Sequence, residues 1–285
     1  LTSTTEGVVW TFNSGNETFN YLRNGDTLKL TYTISVNDGT STTTAPVTVT
    51  VIGTNDAPVI SIDTSGTADT DAASFTESDA VSRAASGTLT VSDLEATDAL
   101  TASVTAVAVH SSSTAVSAAI PGNADLLAML TLSPTSLLTN STDTTAVHGL
   151  SWSFNSGVNE AFNSLALNET LVLDYTIRVI DGSNGMDTQT VRVTITGTND
   201  APAVTAVDVS GNVASGFPAQ LFDTGSITFT DLDVADRPVA TVTATNITGA
   251  LRGGSAGSLT LSASQQTAIT NAFTLAAAGT NAYNG

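Results

Sequence analysis

The strongest constraint on the fold of this chain is a stretch of sequence that occurs twice. "VTVTVIGTNDAPVI" at residues 47–60 returns as "VRVTITGTNDAPAV" at residues 191–204. Each copy alternates apolar and polar residues before the polar hexapeptide Gly-Thr-Asn-Asp-Ala-Pro. A period of two predicts a β-strand with one face on a core. The hexapeptide therefore follows a strand at the same place in two copies of one structural unit.

Further matches show that the repeat is much longer than this stretch. "WTFNSG" at 10–15 matches "WSFNSG" at 152–157. A second, non-overlapping set of matches pairs "GTLTVSDLEATD" at 87–98 with "GSITFTDLDVAD" at 225–236. The matches between 10–60 and 152–204 lie in the C-terminal half of the repeat unit. The matches between 87–98 and 225–236 lie in its N-terminal half. The chain therefore contains parts of three consecutive repeats.

The matches predict a domain organisation in which each repeat boundary falls just before the proline of a hexapeptide. Residues 1–57 form the C-terminal part of a repeat, 58–201 one complete repeat of 144 residues, and 202–285 the N-terminal part of the next. The chain begins without Met or a signal peptide. We therefore expect it to be a segment of a longer tandem array.

Strand signals dominate within the repeat. "TLKLTYTISV" at 27–36 and its copy at 170–179 place five apolar residues on one face, and "VNDG" and "VIDG" after them predict hairpin turns. Many short strands separated by Gly, Asn and Asp turns indicate an all-β fold built from β-sandwiches. We expect shorter strands at 87–92, 100–109, 150–154, 225–230 and 238–244.

Helix signals are confined to two short segments. "NADLLAML" at 123–130 is predicted as a helix capped by Asn123. "SASQQTAITNAF" at 262–273 is a second one, with Ser262 or Ser264 as its N-cap. We expect each to occupy a similar place within its unit, which gives one or two short helices per repeat.

Two aromatic pairs are candidates for the core. Trp10 with Phe12, and Trp152 with Phe154, stand at alternating positions of matching strands. Alternation favours burial, so both pairs are predicted to anchor a core. Stacking against a ligand at the surface is the alternative.

Charge and composition exclude several function classes. The chain has 26 acidic and 7 basic side chains, for a net charge of −19. Such a chain repels phosphate backbones and anionic membrane surfaces, so we do not expect nucleic-acid binding. We do not expect membrane insertion either, because the sequence has no run of about 18 apolar residues. It has no Cys, which removes disulfides, thiolate nucleophiles and Cys-ligated metals.

The hexapeptide has two interpretations. Gly53 and Gly197 release the backbone from the strand, Asn and Asp accept turn conformations, and the proline holds its predecessor extended. On the first interpretation the segment is only a stiffened junction between domains. On the second, its Asn and Asp side chains also supply oxygen ligands for a cation.

A second acidic cluster favours the cation. Asp93, Glu95 and Asp98 share the pattern Asp-Leu-acid-x-x-Asp with Asp231, Asp233 and Asp236, directly after matching strands. Two carboxylates about 4 Å apart repel by roughly 4 kcal/mol at an effective dielectric of 20, unless a cation lies between them. Ca²⁺, which takes several oxygen ligands in flexible geometry, suits such a set. Further candidate oxygen ligands are Glu77, Asp38 and Asp181. Solvated turn acids remain the alternative.

These motifs together resemble the VCBS repeat of RTX-type bacterial surface adhesins. The resemblance is carried by the alternating strand, the "DG" turn, "GTNDAP" and the "GTLTVSDLEA" segment. It implies immunoglobulin- or cadherin-like extender modules, stiffened by Ca²⁺, in a long extracellular fibre that serves adhesion or biofilm formation. Units of about 140 residues are longer than typical extender domains.

The hexapeptide is also similar to the interdomain motif of cadherins. That likeness implies that Asn55, Asp56, Asn199 and Asp200 are calcium ligands. It implies in addition that the acids of "DLEATD" and "DLDVAD" form the partner side of the junction. Neighbouring repeats of the same chain or fibre are then the expected partners.

Other functions are weighed against this one. Catalysis is not expected, because the only histidines, His110 and His148, have no counterparts in the partial repeats. A carbohydrate- or ice-binding module, the former with surface glycans as partners, stays open because the segment 40–51 is rich in Thr. So does a filament subunit in which residues 203–285 of one molecule complete residues 1–57 of the next.

Overall fold

A computed structural model describes most of the chain. The residues described are 5–62, 69–78, 81–95, 99–115, 120–138, 147–157, 161–206, 208–216, 220–253, 257 and 259–275. The chain forms two compact units. The first comprises Leu1–Thr114, Pro121–Ala161 and Thr170–Thr196, and the second Ala115–Ile120, Phe162–Glu169 and Gly197–Gly285.

The predicted all-β fold is confirmed, since thirteen strands and only two short helices occur in the described residues. In chain order the elements are β1 (Thr27–Asn37), β2 (Thr42–Ile52), β3 (Val59–Ser61), β4 (Ala72–Thr76), β5 (Ala84–Ser92), β6 (Ala99–Val109), α1 (Asn123–Ala128), β7 (Leu130–Ser133), β8 (Ser136–Leu138), β9 (Val147–Asn155), β10 (Thr170–Ile180), β11 (Met186–Thr196), β12 (Ala203–Ala206), β13 (Ile227–Thr230) and α2 (Ala263–Ala272).

The first unit contains a β-sandwich. One sheet has the strand order β4-β11-β10-β6-β8 and the other β3-β5-β9-β7. The pairs are antiparallel except for β4, a strand that the sequence did not predict, which runs parallel to β11. Phe154 of the second sheet meets Phe75 and Tyr175 of the first, at ring-centroid distances of 5.6 and 6.2 Å. The core therefore lies between the two sheets.

The hairpin β10–β11 shows why the alternating sequence becomes a strand. Its register runs from Thr170 opposite Thr196 to Ile180 opposite Met186, so the predicted "VIDG" turn joins the two strands. The alternating face is completely buried, at 0% exposure for Leu171, Leu173, Tyr175, Ile177 and Val179. At about 3.4 Å per residue, these strands span roughly 34 Å and so separate two ends of the sandwich.

Tyr175 shows how a polar group enters this core. Its hydroxyl donates a hydrogen bond of 2.8 Å to the carbonyl oxygen of Leu126 in α1. Burial raises the pKa of Tyr175, so the phenol stays neutral. Trp152, which is 1% exposed, also donates, from Nε1 to the carbonyl oxygen of Thr70. Its predicted role as a core anchor is confirmed.

The hairpin β1–β2 has the same pattern and register but a different environment. Tyr32, Ile34 and Val36 are 45%, 37% and 62% exposed, although their counterparts in β10 are fully buried. Trp10 is 55% exposed and lies outside any strand, so its predicted role as a core anchor is wrong. No second sheet covers this face among the described residues, which explains the difference.

The second unit has few regular elements in its described part. β12 and β13 pair antiparallel as a two-stranded sheet. The strand expected at 238–244 does not form. α2 begins as predicted, because the Ser262 side chain accepts from the N–H of Gln265 and the Gln265 side chain accepts from the N–H of Ser262.

The helix α1 differs from its prediction. Gly122, not Asn123, is its N-cap, and no side chain caps it. It precedes the segment "LTLS" at 130–133, whereas α2 follows the matching "LTLS" at 259–262, so the two helices occupy different places in their repeats. Neither helix of the described chain has the length and apolar character needed to span a bilayer.

Candidate cation sites at the two hexapeptides

Each hexapeptide begins with a close backbone approach that only glycine permits. A Cβ built on Gly53 would lie 2.3 Å from the carbonyl oxygen of Arg23, and one on Gly197 would lie 2.3 Å from that of Leu165. The Gly53 N–H donates to Asp26 O, and the Gly197 N–H donates to Glu169 O, both at 2.8 Å. The glycine thus fastens the hexapeptide to the loop before the preceding hairpin, a more specific role than the predicted backbone release.

The first hexapeptide is joined to the acidic loop after β5. The backbone N–H of Asp56 donates to Oε1 of Glu95. The N–H of Glu95 lies 3.4 Å from Oδ1 of Asp93. The resemblance to the cadherin junction implied that the hexapeptide meets an acidic loop, and the hydrogen bond from the Asp56 backbone to Glu95 joins the two.

Asn55 connects the same hexapeptide to the β10–β11 turn. Its Nδ2 donates at 2.9 Å both to Oδ2 of Asp181 and to the carbonyl oxygen of Asp56. The other oxygen of Asp181 accepts from the N–H groups of Ser183 and Gly185, at 2.7 and 2.8 Å. Asp181, a candidate cation ligand in a turn that is distant in sequence, therefore does reach the hexapeptide.

The electrostatics of this first site favour positive charge. Glu95 is fully buried and Asp93 is 5% exposed. Burial raises the pKa of Glu95 to about 8, and the neighbouring carboxyl of Asp93 contributes to the rise. Oδ2 of Asp93 and Oδ1 of Asn55 are buried oxygens that accept no hydrogen bond from the described residues. Oxygens of this kind suit a bound cation.

The second hexapeptide has the same hydrogen-bond pattern. The N–H of Asp200 donates to Oδ2 of Asp233 at 2.9 Å, as that of Asp56 does to Glu95. The N–H of Asp233 donates to Oδ1 of Asp231 at 3.1 Å. Asn199 repeats the bond of Asn55 to the next carbonyl oxygen, at 2.8 Å, but it is exposed. Asp200 and Asp233 are buried, at 4% and 0% exposure.

The other candidate cation ligands lie in different environments. Glu77 is 2% exposed, and its N–H donates to Thr196 O at 3.0 Å, so it lies at the opposite end of the sandwich from Asp93. Asp38 is exposed, and the hydrogen bonds that it accepts from the backbone N–H groups of Ser41 and Thr40 lower its pKa. Asp236 is half-buried, with its N–H on Asp233 O. Asp98 lies outside the described residues.

The acids meet in pairs. No group of three or more Asp, Glu, His or Cys side chains suited to holding a metal occurs in the described part of the chain. Any cation at the first site would therefore need Asn55, backbone carbonyl groups or water in addition to Asp93 and Glu95.

Two residues near the first site escaped sequence reasoning. Oδ2 of Asp187 accepts from the N–H of Ile60 at 3.0 Å, which ties β11 to the strand after the hexapeptide. The partial repeat carries Thr43 at the position of Asp187, so repeat matching gives no signal for it. A Cβ on Gly185 would lie 2.2 Å from Oδ2 of Asp181 and 2.8 Å from Nδ2 of Asn55. Only a residue without a side chain fits there.

Comparisons with known proteins assign no family. No protein-family model matches the chain, and no curated protein matches it either. Solved structures with some likeness include PapD-like domain 7 of human CEP192, at 11% identity and a TM-score of 0.30, over 50% of this chain and 86% of that one.

Two further structures show a similar degree of likeness. The CooA pilin subunit from enterotoxigenic Escherichia coli is 12% identical with a TM-score of 0.31, over 50% of this chain and 99% of that one. Zebrafish RET cadherin-like domains 1 to 4 are 10% identical with a TM-score of 0.24, over 61% of this chain and 34% of that one. The fold class follows from the strand order and buried faces of this chain.

Proposed function

We propose that this chain is a non-catalytic extender segment of a long extracellular bacterial adhesin or surface fibre, built from repeats of the VCBS kind and stiffened by Ca²⁺. The observation that carries the proposal is the hydrogen-bond pattern shared by the two hexapeptides. In both, an Asp N–H binds the second acid of an Asp-x-acid loop, and that acid's own N–H points at the first. Two equivalent junctions are what a tandem extender requires.

The residues of the first site suit Ca²⁺. Asp93, Glu95 and Asn55 offer only oxygen ligands, and calcium is a hard cation that prefers such a set. Keeping two acids this close while buried is unfavourable unless a proton or a cation neutralises them. Bound calcium would supply that neutralisation at neutral pH, where the raised pKa of Glu95 otherwise favours a proton.

The hexapeptide residues also explain how the linker between repeats would be stiffened. The hexapeptide follows β2 in one copy and β11 in the other, and it precedes the first strand of the next repeat. Its glycine is fastened to the loop before the preceding hairpin, and its Asp to the acidic loop of the next repeat. A cation held by that acidic loop would reduce the freedom of the linker, and stiff linkers keep an array extended.

Two alternatives are kept apart from this proposal. The proposal includes no catalytic step, and His110 is engaged in a local turn, with Nδ1 2.8 Å from Ser112 Oγ. Glycan binding by the Thr-rich segment of β2 stays a prediction. Binding of the chain to an array of surface glycans would favour it over a passive spacer.

The test is thermal unfolding of the chain with Ca²⁺ and with a chelator. We expect Ca²⁺ to raise the melting temperature, because a ligand that binds only the folded state stabilises it. Asp93→Asn and Asp233→Asn should each reduce the calcium-dependent rise. Asp125→Asn removes one charge from the exposed first turn of α1 and should leave the rise unchanged. Identical melts of the unmodified chain in both conditions would reject the proposal.

A further inference from the structure

The β10–β11 turn contains the chemically labile dipeptide Asn184–Gly185. A glycine nitrogen is the least hindered backbone nucleophile, because no Cβ shields it, and it can attack the side-chain amide of a preceding Asn. Asn184 is exposed, so solvent reaches this amide. The same dipeptide occurs at Asn24–Gly25, in the loop before β1, and at 284–285, outside the described residues. The turn is therefore a candidate site of spontaneous modification.

The shape of the turn requires both residues of the dipeptide. Asn184 has a φ of 74°, in the left-handed region that Asn adopts more readily than most residues. A Cβ on Gly185 would lie 2.2 Å from Oδ2 of Asp181 and 3.0 Å from Cα of Ala57 in the hexapeptide. The close approach of the turn to the hexapeptide therefore requires the dipeptide that makes the turn labile.

A carboxylate holds the nitrogen that would react. The Gly185 N–H donates to Oδ1 of Asp181 at 2.8 Å, and the Asp181 N–H donates to the carbonyl oxygen of Gly185 at 3.0 Å. The nitrogen must lose its proton and leave this hydrogen bond before it can attack. A negative charge beside the nitrogen disfavours that loss. Asp181 therefore restrains the reaction while the turn is folded.

The nitrogen of Gly25 has a neutral partner instead. Its N–H donates to the carbonyl oxygen of Gly53 at 3.2 Å. A carbonyl group forms a weaker hydrogen bond than a carboxylate does, and it places no negative charge beside the nitrogen. Asn24 is exposed, as Asn184 is. The dipeptide Asn24–Gly25 is therefore an internal reference for the effect of Asp181.

We propose that Asn184 is a site of spontaneous deamidation which Asp181 keeps slow, and that the reaction releases the β10–β11 turn from the hexapeptide. A base in the solvent removes the Gly185 amide proton, and the nitrogen attacks Cγ of Asn184. The bond from Cγ to Nδ2 then breaks, and Nδ2 takes up a proton and leaves as ammonia. Water opens the resulting succinimide ring at either carbonyl carbon, which gives aspartate or isoaspartate.

Isoaspartate would change the contact between the turn and the hexapeptide. Its main chain passes through the former side chain and is longer by a methylene group just before Gly185. Gly185 already lies too close to Asp181 and Ala57 to move toward them. The turn must therefore move away, and the hydrogen bond from Asn55 to Asp181 is lost. No step requires calcium, so failure of this inference would leave the calcium proposal intact.

The first test compares the two dipeptides in one chain. The full chain is aged in chelator at mildly alkaline pH, and peptide mapping by mass spectrometry gives the rate of deamidation at each Asn. We expect Asn184 to react more slowly than Asn24 in the folded chain. In urea, where both turns are unfolded, the two rates should become similar. A rate ratio that urea leaves unchanged, or a faster reaction at Asn184 in the folded chain, would overturn the proposal.

The second test removes the carboxylate. Asp181→Ala should accelerate deamidation of Asn184 by about tenfold or more, the factor expected from the loss of one hydrogen bond to a charged group. Asp38→Ala is the matched control, because it removes the acid at the same place in the β1–β2 turn, and it should leave the rate at Asn184 unchanged. If Asp181→Ala does not fold, Asp181→Asn replaces it and should also accelerate the reaction. An unchanged rate in the Asp181 variant would overturn the proposal.

The third test measures the release of the turn. The isoaspartate form is separated by chromatography and melted in chelator beside the unmodified chain. It should melt at a lower temperature, and Asn55→Ala should lower the melting temperature of the unmodified chain but not that of the isoaspartate form. An isoaspartate form that is as stable as the unmodified chain would contradict the proposed release.

Discussion

Nδ2 of Asn55 donates a hydrogen bond of 2.9 Å to Oδ2 of Asp181, across 126 residues of sequence. The bond ties the first hexapeptide to the β10–β11 turn. Asp38 occupies the same place in the β1–β2 turn but is exposed, and no hexapeptide reaches it in the described chain. Asp181 is therefore joined to the hexapeptide that precedes its own repeat.

Removing this amide should loosen the junction. Asn55→Ala loses two hydrogen bonds and leaves Oδ2 of Asp181 without its donor. Since one hydrogen bond contributes about 1 kcal/mol, we expect the free energy of unfolding to fall by about 1–2 kcal/mol in urea denaturation. Asn199→Ala, which loses a single exposed bond, should cost less. Equal losses of unfolding free energy in the two variants would show that the hydrogen bond to Asp181 does not contribute to stability.

The glycine of the second hexapeptide should tolerate no side chain. A Cβ at Gly197 meets the carbonyl oxygens of Leu165 and Ala166 at 2.3 and 2.4 Å, and backbone cannot easily give way. We expect Gly197→Ala to lower stability by about 1–3 kcal/mol, as overpacking does. Gly182→Ala is the control, because nothing lies within 4 Å of its Cβ. A neutral Gly197→Ala in chemical denaturation would contradict the close approach.

Glu95 should make stability depend on pH. Its folded pKa is raised to about 8 from 4.5, so the folded state binds more protons than the unfolded state between these values. Its contribution is therefore full below pH 4.5 and is lost as the pH rises through about 8. In chelator, melts should show stability falling from pH 5 to 8, and Glu95→Gln should flatten this slope. A slope that Glu95→Gln leaves unaltered would contradict the assignment.

The two tryptophans should differ sharply. Trp152 lies in the core and bonds to Thr70, so Trp152→Ala should cost about 3–5 kcal/mol. Trp10 is exposed in the single chain, so Trp10→Ala should change stability by less than about 0.5 kcal/mol. Both are measured by urea denaturation at the same protein concentration. A comparable loss for Trp10→Ala would show that it is buried after all.

Local periodicity predicted the long strands, whereas β4 was not predicted and the strand expected at 238–244 does not form. The hairpins β1–β2 and β10–β11 were predicted from alternation and from their "DG" turns. The N-cap of α2 was predicted as Ser262 or Ser264, and the structure uses Ser262. Alternation did not predict which strand faces are buried. Tyr32 and Tyr175 share one sequence pattern, but a face is buried only when another sheet covers it, and no local pattern encodes that sheet.

The candidate site was predictable in part for a related reason. Repetition singled out the hexapeptide acids Asp56 and Asp200 and the loop acids Glu95 and Asp233, because each motif occurs in both copies, but the pairing of each hexapeptide with its loop came from the structure. The contact of Asp181 with Asn55 was only a possibility in the sequence, since it depends on how the turn meets the hexapeptide. Asp187 gave no signal, because its counterpart is a threonine.

Calorimetric titration of the chain with Ca²⁺, after chelator treatment, tests the central claim most directly. Saturable binding is expected at neutral pH, with affinity in the sub-millimolar to millimolar range of extracellular calcium modules. Proton release should accompany it, since calcium replaces the proton on Glu95, and Asp93→Asn should weaken it while Asp125→Asn should not. A titration with no more heat than dilution would contradict the claim that these acidic loops hold calcium.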